Sequence, residues 1–332
     1  MRIAFIYRGL RLSYGNGIVS QAMTWKKCLE SRGHEVVMCS PWDNNEFAKC
    51  DAIQLFGYDA DLVDSVNLLY KQNKNIFIAP IFDPDYSCMN AKIRSLCSIR
   101  PLLLYNRFSA LRAIKGQMAG VMVRSRFEAD YIIKSFGYTD AQCKLVMLPS
   151  GVEPSEERNS EREPYCFHMS FVTDGRKNVK RLIDASVKYG FRLVLAGKIH
   201  YEEERRRFMD YIQDKPNVEY LGFISEEEKI RHYRTAKVFA LPSLNEGVGL
   251  VALEAAAYGC EIVITSLGGP KEYYGDLAEV VNPYSIDEIG SAVSRLIDNE
   301  IMHQPMLADY VHAEFSNESV GEKLERIYSG EM

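Results

Sequence analysis

The chain has 332 residues, of which 47% are hydrophobic and 26% charged, so its composition predicts packed cores in about two domains and excludes a disordered chain. Its eight cysteines are scattered without a C-x-x-C pair, which argues against a zinc site or a disulfide framework and favours a reducing compartment. The first ten residues turn polar too soon for a signal peptide, and no apolar run reaches about 18 residues. We therefore expect a cytoplasmic protein without a membrane-spanning helix.

The net charge of −5 is divided unevenly along the chain. Residues 1–150 carry 19 basic and 13 acidic residues, whereas residues 151–332 carry 21 and 32. Between Tyr86 and Phe127 there is no acidic residue, and aromatic and aliphatic residues separate the basic ones. Such a stretch can lie on an anionic membrane surface or face an anionic substrate, and a solvated helix face explains it equally well. No nucleic-acid-binding motif accompanies the charge, so we expect no nucleic-acid partner.

In chain order, the first half alternates short apolar strands with helices. The predicted strands are RIAFIY, HEVVMCSP, CDAIQLFG, NIFIAPIF, AGVMVRS and CKLVMLPSG. A loop with Gly15 and Gly17 leads into a predicted helix that ends near Ser31. Further helices are predicted from Ala60 to Gln72 and in RFEADYIIKSFG. This alternation is typical of a parallel sheet with both faces covered by helices.

A charged, proline-flanked segment from Glu153 to Pro164 predicts a linker or a long loop. After it the strand pattern restarts with YCFHMSFV, RLVLAG, VEYLG, VFALP, EIVIT and AEVVNP. The chain is therefore predicted to be of the α/β class, with two doubly wound domains. Ligands of such domains bind at the carboxyl ends of the strands, and a cleft between domains is a favoured site.

Two glutamates flank the turn between the strand VFALP and a helix predicted from Val251 to Tyr258. Gly247 and Gly249 follow Glu246, so the backbone can approach a ligand, and the N-terminus of the helix favours an anion such as phosphate. Carboxylates beside a phosphate site, here Glu246 and Glu254, accept hydrogen bonds from hydroxyls, so the stretch predicts a sugar-nucleotide site. A common Gly-x-Gly turn followed by a solvated helix residue is the alternative that the spacing leaves open.

Two further pairs of charged residues lie where strands are predicted to end. In VTDGRKNVKRLIDA, Arg176 and Lys177 could neutralise a diphosphate without a metal or form an ordinary surface pair. In FDPDY, Asp83 and Asp85 could hold a divalent ion on a nucleotide diphosphate or stiffen a turn. The six histidines have no metal-ligand spacing, and we predict no metal site.

The stretch PSLNEGVGLVALEAAAYGCEIVITSLGGPKEYYG resembles the signature of the retaining GT-B glycosyltransferases of family four, the glycosyl transferases group 1, which carry an E-x7-E motif there. Further segments that resemble the family extend over nearly the whole chain. They are YGNGIVSQAMTWKKCLESRGHEVVMCSP, VMLPSGVEP, GRKNVKRLIDA, VEYLGFISEEEKIRHYRTAKVFALPS and FSNESVGEKLERIYSG. The resemblance implies a GT-B fold of two Rossmann-like domains that face a central cleft. It implies an acceptor-binding domain over 1–153, a donor-binding domain over 154–310, and a helix within 311–332 that returns to the first domain.

The resemblance also implies a reaction, the metal-independent transfer of a hexose from a nucleotide-diphosphate sugar with retention of configuration. Glu254 would hold the ribose hydroxyls, and Glu246 would contact the donor sugar near its reacting end. Arg176 and Lys177 would stabilise the leaving diphosphate electrostatically. The other implied donor contacts are the loop at Gly15 and Gly17, the main chain near Phe223 and Ile224, and the backbone of Gly247, Val248, Gly249 and Leu250. No cofactor is implied besides the donor substrate.

Two features depart from the family pattern. Where many relatives have a histidine after the fourth strand, this chain has Phe82, so a sugar or catalytic contact is missing or supplied elsewhere. Arg176 and Lys177 are adjacent, whereas relatives separate these residues by several positions. A non-catalytic partner subunit that binds a sugar nucleotide or a glycan is therefore kept as an alternative function.

The basic stretch in the first half suits the acceptor side of such a reaction. We expect Arg94, Arg100, Arg107 and Arg112 to meet a lipid-linked or anionic glycan acceptor, or the anionic inner face of a membrane. The sequence thus predicts a peripheral enzyme of surface-polysaccharide or glycolipid biosynthesis. A soluble acceptor such as a sugar phosphate is the alternative explanation of the same charge.

Overall fold

The structure is a computed structural model that describes residues 1–7, 17–40, 46–82, 86–99, 104–154 and 161–332. Four residues singled out in the sequence, Gly15, Asp83, Asp85 and Arg100, lie outside the described residues. The predicted glycine loop and the Asp-x-Asp pair therefore stay predictions.

Short strands alternate with helices through the described parts of the chain. The strands are β1 (Arg2–Tyr7), β2 (Glu35–Met38), β3 (Ala52–Phe56), β4 (Ile76–Ala79), β5 (Ser98–Ile99), β6 (Leu104–Tyr105), β7 (Gly120–Val123), β8 (Cys143–Leu145), β9 (Glu163–Met169), β10 (Arg192–Ala196), β11 (Val218–Tyr220), β12 (Ala236–Leu241), β13 (Glu261–Thr265) and β14 (Glu279–Val281). The α-helices are α1 (Gly17–Glu30), α2 (Leu62–Tyr70), α3 (Cys88–Leu96), α4 (Arg107–Ala113), α5 (Arg126–Phe136), α6 (Val179–Tyr189), α7 (Glu202–Ile212), α8 (Glu226–Thr235), α9 (Leu250–Ala257), α10 (Ile286–Ile297), α11 (Met306–Glu314) and α12 (Asn317–Tyr328).

The first compact unit comprises Met1–Pro149 together with Asn317–Met332. Its main sheet is parallel, with the strand order β2-β1-β3-β4-β7-β8. Every residue of β3, β4 and β7 is buried, as expected for strands whose two faces are both covered by helices. β5 and β6 form a separate two-stranded antiparallel pair.

The last helix of the chain, α12, belongs to this first unit, where it packs against α1. The Arg32 guanidinium lies 2.7 Å from the Glu325 carboxylate, and the buried Tyr328 hydroxyl donates to Oε1 of Gln54 over 2.9 Å. The helix therefore completes the core of a unit from which it is distant in sequence. The predicted assignment of acceptor and donor to the two domains stays a prediction.

The second unit comprises Ser150–Ser316, and its parallel sheet has the strand order β11-β10-β9-β12-β13-β14. Numbered within the unit, this is the order 3-2-1-4-5-6 of a doubly wound sheet, whose ligands bind where the order reverses, here between β9 and β12. The predicted linker, Glu153 to Pro164, is too long at its end, because Glu163 and Pro164 already form part of β9. The predicted α/β class with two doubly wound sheets is confirmed. No helix in the described ranges is long and apolar enough to cross a membrane.

Candidate functional site

The loop from β12 to α9 is shaped by a glycine that no other residue can replace without strain. Gly249 precedes the first residue of α9 with φ +74°, and an added Cβ would lie 3.0 Å from Cδ2 of Leu241. No side chain of the described residues caps α9, so the N–H groups of its first two residues, Leu250 and Val251, remain available to a ligand. Val248 is buried and Gly249 has no side chain, so the end of the loop next to α9 presents backbone.

A neighbouring loop, between β9 and α6, places a lysine against the first glutamate. Nζ of Lys177 lies 2.5 Å from Oε2 of Glu246, and the side chains of both residues are mostly buried. Asn178 fixes this loop, because its buried side-chain amide donates to the carbonyl oxygens of Pro242 and Pro283. The backbone N–H of Leu244 also donates to the carbonyl oxygen of Arg176 over 2.7 Å. Residues that are 69 positions apart thus form an ion pair where the strand order reverses.

The second predicted cation has a different partner. The guanidinium of Arg176 is exposed and lies 2.7 Å from the Asp174 carboxylate, whose Oδ1 also accepts the backbone N–H of Arg176. The bonds from Arg176 hold the pKa of Asp174 below its usual value. Of the two adjacent cations, the structure therefore brings Lys177 to Glu246 and directs Arg176 to Asp174.

The second glutamate, Glu254, lies in the second turn of α9 and meets another lysine. Nζ of Lys229 is 3.0 Å from Oε2 of Glu254 and 2.7 Å from Oε1 of Glu226. Burial raises the pKa of Glu254, and the charge of Lys229 opposes this shift. Burial also disfavours the charged form of Lys229, but its bonds to both glutamates outweigh that effect and raise its pKa.

Sequence reasoning missed Lys229. The only local pattern near Lys229 is the helix start ISEEEK, in which Ser225 and Glu228 form a capping box. This pattern places Lys229 on a helix but does not indicate its partner. Its partner Glu254 is 25 residues further along the chain, a distance that no local pattern reveals.

A fully buried histidine on the central strand was also missed. Nδ1 of His168 lies 2.7 Å from the carbonyl oxygen of Ala240, and Nε2 lies 2.7 Å from Oγ of Ser170. Because a carbonyl oxygen can only accept, Nδ1 carries the proton and Nε2 accepts from the serine hydroxyl. Burial lowers the pKa of His168 to about 4, so the ring is neutral near pH 7. His168 therefore ties β9 to β12 next to the loop of Lys177 without adding charge.

Aromatic side chains are exposed beyond the ends of β9, β10 and β11. Phe223 follows β11 and is exposed, whereas the adjacent Ile224 is buried. Phe171, beyond β9, is half exposed and stacks on His200 with the ring centroids 5.1 Å apart. Tyr201, at the start of α7, is exposed beside His200. These planar surfaces could stack on a nucleobase.

The remaining sequence-predicted residues lie in the first unit. Gly17 is the first residue of α1, and an added Cβ would meet no atom within 4 Å. Arg94 and Arg107 are exposed at α3 and α4, whereas Arg112 is half-buried and its guanidinium lies near Gly137. In the described ranges no group of three or more His, Cys, Asp and Glu residues could hold a metal ion.

Phe82, at the position where the resemblance expects a histidine, is a core residue. Its ring packs against Tyr58, Tyr131 and Phe136 with centroid distances of 4.5, 5.4 and 5.3 Å. The phenyl ring therefore offers no polar contact to a sugar. The preceding residue, Ile81, has φ +59°, which is unusual for a β-branched side chain.

A buried ion pair holds the main chain at this point. The N–H of Phe82 donates to Oε1 of Glu128 over 2.6 Å, and the Arg124 guanidinium donates to the carbonyl oxygen of Phe82 over 2.6 Å. Arg124 and Glu128 are 3.0 Å apart and both are buried. Arg124, one of the cations in the acid-free stretch, is therefore structural rather than part of an exposed basic surface.

Comparisons with known proteins agree with this architecture. The family model described as glycosyl transferases group 1 matches residues 142–310, just over half of the chain. An uncharacterized glycosyltransferase of Methanocaldococcus jannaschii is 30% identical over 263 residues, which cover 71% of this chain and 72% of that protein. A GDP-mannose-dependent monoacylated alpha-(1-6)-phosphatidylinositol monomannoside mannosyltransferase of Corynebacterium glutamicum is 30% identical over 151 residues. That second match covers 42% of this chain and spans 39% of the corynebacterial enzyme's length.

Among solved structures, HepE of Anabaena in complex with UDP is similar along almost its entire length. The TM-score is 0.72 with 13% identity, and the match covers 99% of this chain and 100% of HepE. A likeness at this identity shows the fold alone. The predicted GT-B fold is confirmed.

Proposed function

Because the chain belongs to the glycosyl transferases group 1, we propose that it transfers a hexose from a nucleotide-diphosphate sugar to a glycan or lipid-linked acceptor. One observation carries the proposal, the pairing of Lys177 with Glu246 at the point where the strand order of the second sheet reverses. Ligands of doubly wound sheets bind at this point, and a lysine there suits a phosphate-bearing ligand.

In the proposed reaction, negative charge develops on the diphosphate as the bond to C1 of the sugar breaks. Lys177 and the uncapped N-terminus of α9 stabilise this charge because both are held in place before the reaction. The same groups take the role that a divalent ion has in other transferases, so the proposed reaction is metal-independent. Glu246, which Lys177 holds, contacts the donor sugar near its reacting carbon. A hydroxyl of the acceptor forms the new bond to C1 with retention and gives its proton to the departing diphosphate.

Glu254 accepts hydrogen bonds from the ribose hydroxyls in this proposal. Burial raises the pKa of this carboxylate, and the bond from Lys229 opposes that shift and holds the carboxylate in place. The exposed ring of Phe223 lies beyond β11, close in sequence to the helix that carries Lys229, and supports a nucleobase subsite there. Arg176 is assigned to the diphosphate on the resemblance alone, since in this structure it pairs with Asp174.

The relatives support the substrate classes. The name of the corynebacterial relative describes a mannosyl donor with GDP and a phosphatidylinositol-based acceptor, and HepE was solved with UDP. By analogy we propose a lipid-linked or anionic glycan acceptor, in the biosynthesis of a surface polysaccharide or a glycolipid at the cytoplasmic face of a membrane. The cations of the first unit, including Arg94 and Arg107, suit such an acceptor.

The test is a donor panel in the presence of EDTA. Purified protein is incubated with UDP-, GDP- and ADP-sugars, and both thermal stabilisation and release of the nucleotide diphosphate are followed. We expect one sugar nucleotide to raise the melting temperature and to be slowly hydrolysed without a metal. Stabilisation without release, with or without added Mg²⁺, would support a binding subunit instead, and no response to any donor would contradict the proposal.

A further inference from the structure

The helix α3 exposes large apolar side chains to solvent. Met89, Ile93 and Leu96 are 72%, 56% and 59% exposed, although α3 has only nine residues. Scattered surface hydrophobics are ordinary, but three on one short helix form a patch.

These three residues form one stripe on the face of α3 that points away from the core. Their spacing, i, i+4 and i+7, places them on one side of a helix with 3.6 residues per turn. The residues of α3 that pack inward are Ala91 and Ser95, and Oγ of Ser95 donates to the carbonyl oxygen of Ser135 in α5. The helix is therefore anchored through small residues, and its apolar stripe is left for another partner.

Cations lie on α3 beside the stripe and near its C-terminal end. Lys92 and Arg94 lie on the same helix and are exposed. The side chain of Asn106 donates to the carbonyl oxygens of Arg94 and Cys97, which brings the N-terminus of α4 and its exposed Arg107 to the end of α3. The stripe therefore has a basic border.

The acidic groups of the helix packed beside α3 do not neutralise this border. On α5, Glu128 is buried in its pair with Arg124, and Asp130 pairs with Lys134 over 3.1 Å. Neither α3 nor α4 contains an acidic residue. An anionic partner with an apolar layer beneath its charges matches this surface.

We propose that α3 is a membrane-contact helix, whose residues Met89, Ile93 and Leu96 enter the interfacial layer of an anionic bilayer. Lys92, Arg94 and Arg107 then meet the lipid phosphates, as in amphipathic helices that lie in the plane of a membrane. The inference rests on the proposed function in one respect, since a lipid-linked acceptor gives the contact its purpose.

The experiment is flotation of the full-length chain with vesicles of phosphatidylcholine, alone or mixed with phosphatidylglycerol. Wild-type protein is expected to bind the mixed vesicles at low salt and to leave them as salt rises. The triple variant Met89→Ser/Ile93→Ser/Leu96→Ser is expected to bind roughly tenfold more weakly, because it loses the inserted apolar surface. The variant Lys92→Gln/Arg94→Gln/Arg107→Gln is expected to lose the preference for phosphatidylglycerol.

The matched control is Met302→Ser/Met306→Ser, two methionines that are each 60% exposed in the second unit, and its vesicle binding is expected to equal that of wild type. Exposed serines should leave the melting temperature unchanged, which separates lost binding from lost folding. Wild type that ignores both vesicle types, or a triple variant that binds as well as wild type, would overturn the proposal. The proposal would also be overturned if wild type were a dimer that does not bind vesicles and that the triple serine substitution dissociates. A second copy of the chain would then cover the stripe.

Donor binding separates this inference from the proposed function. If the triple variant still responds to the donor nucleotide but no longer floats, both stand. If no donor is recognised while flotation follows the stripe, the transferase proposal fails and the membrane contact remains.

Discussion

Two lysines hold the two glutamates of the proposed donor site, and they do so from different elements. Lys177 precedes α6 and meets Glu246, whereas Lys229 lies within α8 and meets Glu254. Each carboxylate is therefore kept in place by a separate cation. Burial shifts the pKa of Glu254, so its role can be tested through the pH dependence of binding.

Nucleotide affinity is expected to fall as the pH is lowered, earlier than an ordinary glutamate would cause. Burial raises the pKa of Glu254, so the carboxylate that accepts the ribose hydroxyls exists above the raised pKa and is lost below it. Titration calorimetry with the nucleotide diphosphate at a series of decreasing pH values should show this loss of affinity in wild type. Glu254→Gln lacks the titrating carboxylate, so its pH profile reports only the titration of the ligand. Glu227→Gln changes an exposed glutamate and should have the same pH profile as wild type. Equal pH profiles for wild type and Glu254→Gln would contradict the role of Glu254.

Lys229 is expected to act as a positioning residue for Glu254. In Lys229→Met the pKa of Glu254 should rise further, since the opposing charge is gone, and the pH below which affinity declines should move upward. Near neutral pH we expect a loss of affinity of roughly threefold to tenfold. Glu226→Gln keeps the bond between Lys229 and Glu254 and removes a negative charge that helps to raise the pKa of Glu254, so its midpoint should not move upward. A weaker affinity with an unchanged pH midpoint would show that Lys229 does not act through the pKa of Glu254.

At the scale of elements, the end of β4 is held by charge rather than by strand pairing. Ile81 has φ +59°, a conformation that costs on the order of 1–3 kcal/mol and persists only when its surroundings enforce it. Arg124 and Glu128 bond both main-chain polar groups of Phe82 and so enforce it. The buried pair therefore fixes how the chain leaves β4.

Glu128→Gln is expected to lower the free energy of unfolding by about 3–5 kcal/mol, because it leaves the buried guanidinium of Arg124 without its counter-charge. Chemical denaturation monitored by circular dichroism measures the change. Asp130→Asn, on the same helix, breaks only the exposed pair with Lys134 and should cost less than about 1 kcal/mol. Equal effects of the two substitutions would show that the buried pair does not hold this segment.

Local patterns predicted most of the second sheet but not the contacts of its charged residues. Apolar runs such as VFALP and EIVIT are buried strands, and the helix predicted from Val251 to Tyr258 is α9, Leu250–Ala257. The different partners of the adjacent Lys177 and Arg176 could not be predicted. Their loop is held by Pro242 and Pro283, which are distant in sequence. The acid-free stretch from Tyr86 to Phe127 predicts one basic amphipathic surface, yet its described cations lie on separate elements and Arg124 is buried. Charge can be counted in a sequence, but burial depends on the tertiary fold.

At the scale of the whole molecule, the chain leaves the first unit at Pro149 and re-enters it at Asn317. The second unit is thus a continuous segment inserted into a discontinuous first unit. The core of the first unit depends on the last helix of the chain, whose Leu324, Ile327 and Tyr328 are buried.

Deletion of residues 317–332 is expected to destabilise the first unit selectively. It removes the buried face of α12 and the bond from Tyr328 to Gln54, and it leaves the contacting surface of α1 exposed. Calorimetry should show an early transition that is absent from the full-length chain, and limited proteolysis should leave a resistant fragment near residues 150–316. Deletion of residues 330–332, which are exposed, is the control and should have no effect. Loss of both units together would contradict the division into two units.

In the proposed reaction, Lys177 acts on the departing diphosphate and Glu246 on the donor sugar. The most direct test compares nucleotide-diphosphate release by wild type, Lys177→Met and Glu246→Gln at saturating donor, with Lys180→Met as the control, since Lys180 is exposed three residues further along. We predict that Lys177→Met and Glu246→Gln slow release roughly 100-fold while Lys180→Met matches wild type, as expected when a group held in place stabilises developing charge. Release by both site variants within a few-fold of wild type would show that neither side chain acts in the transfer.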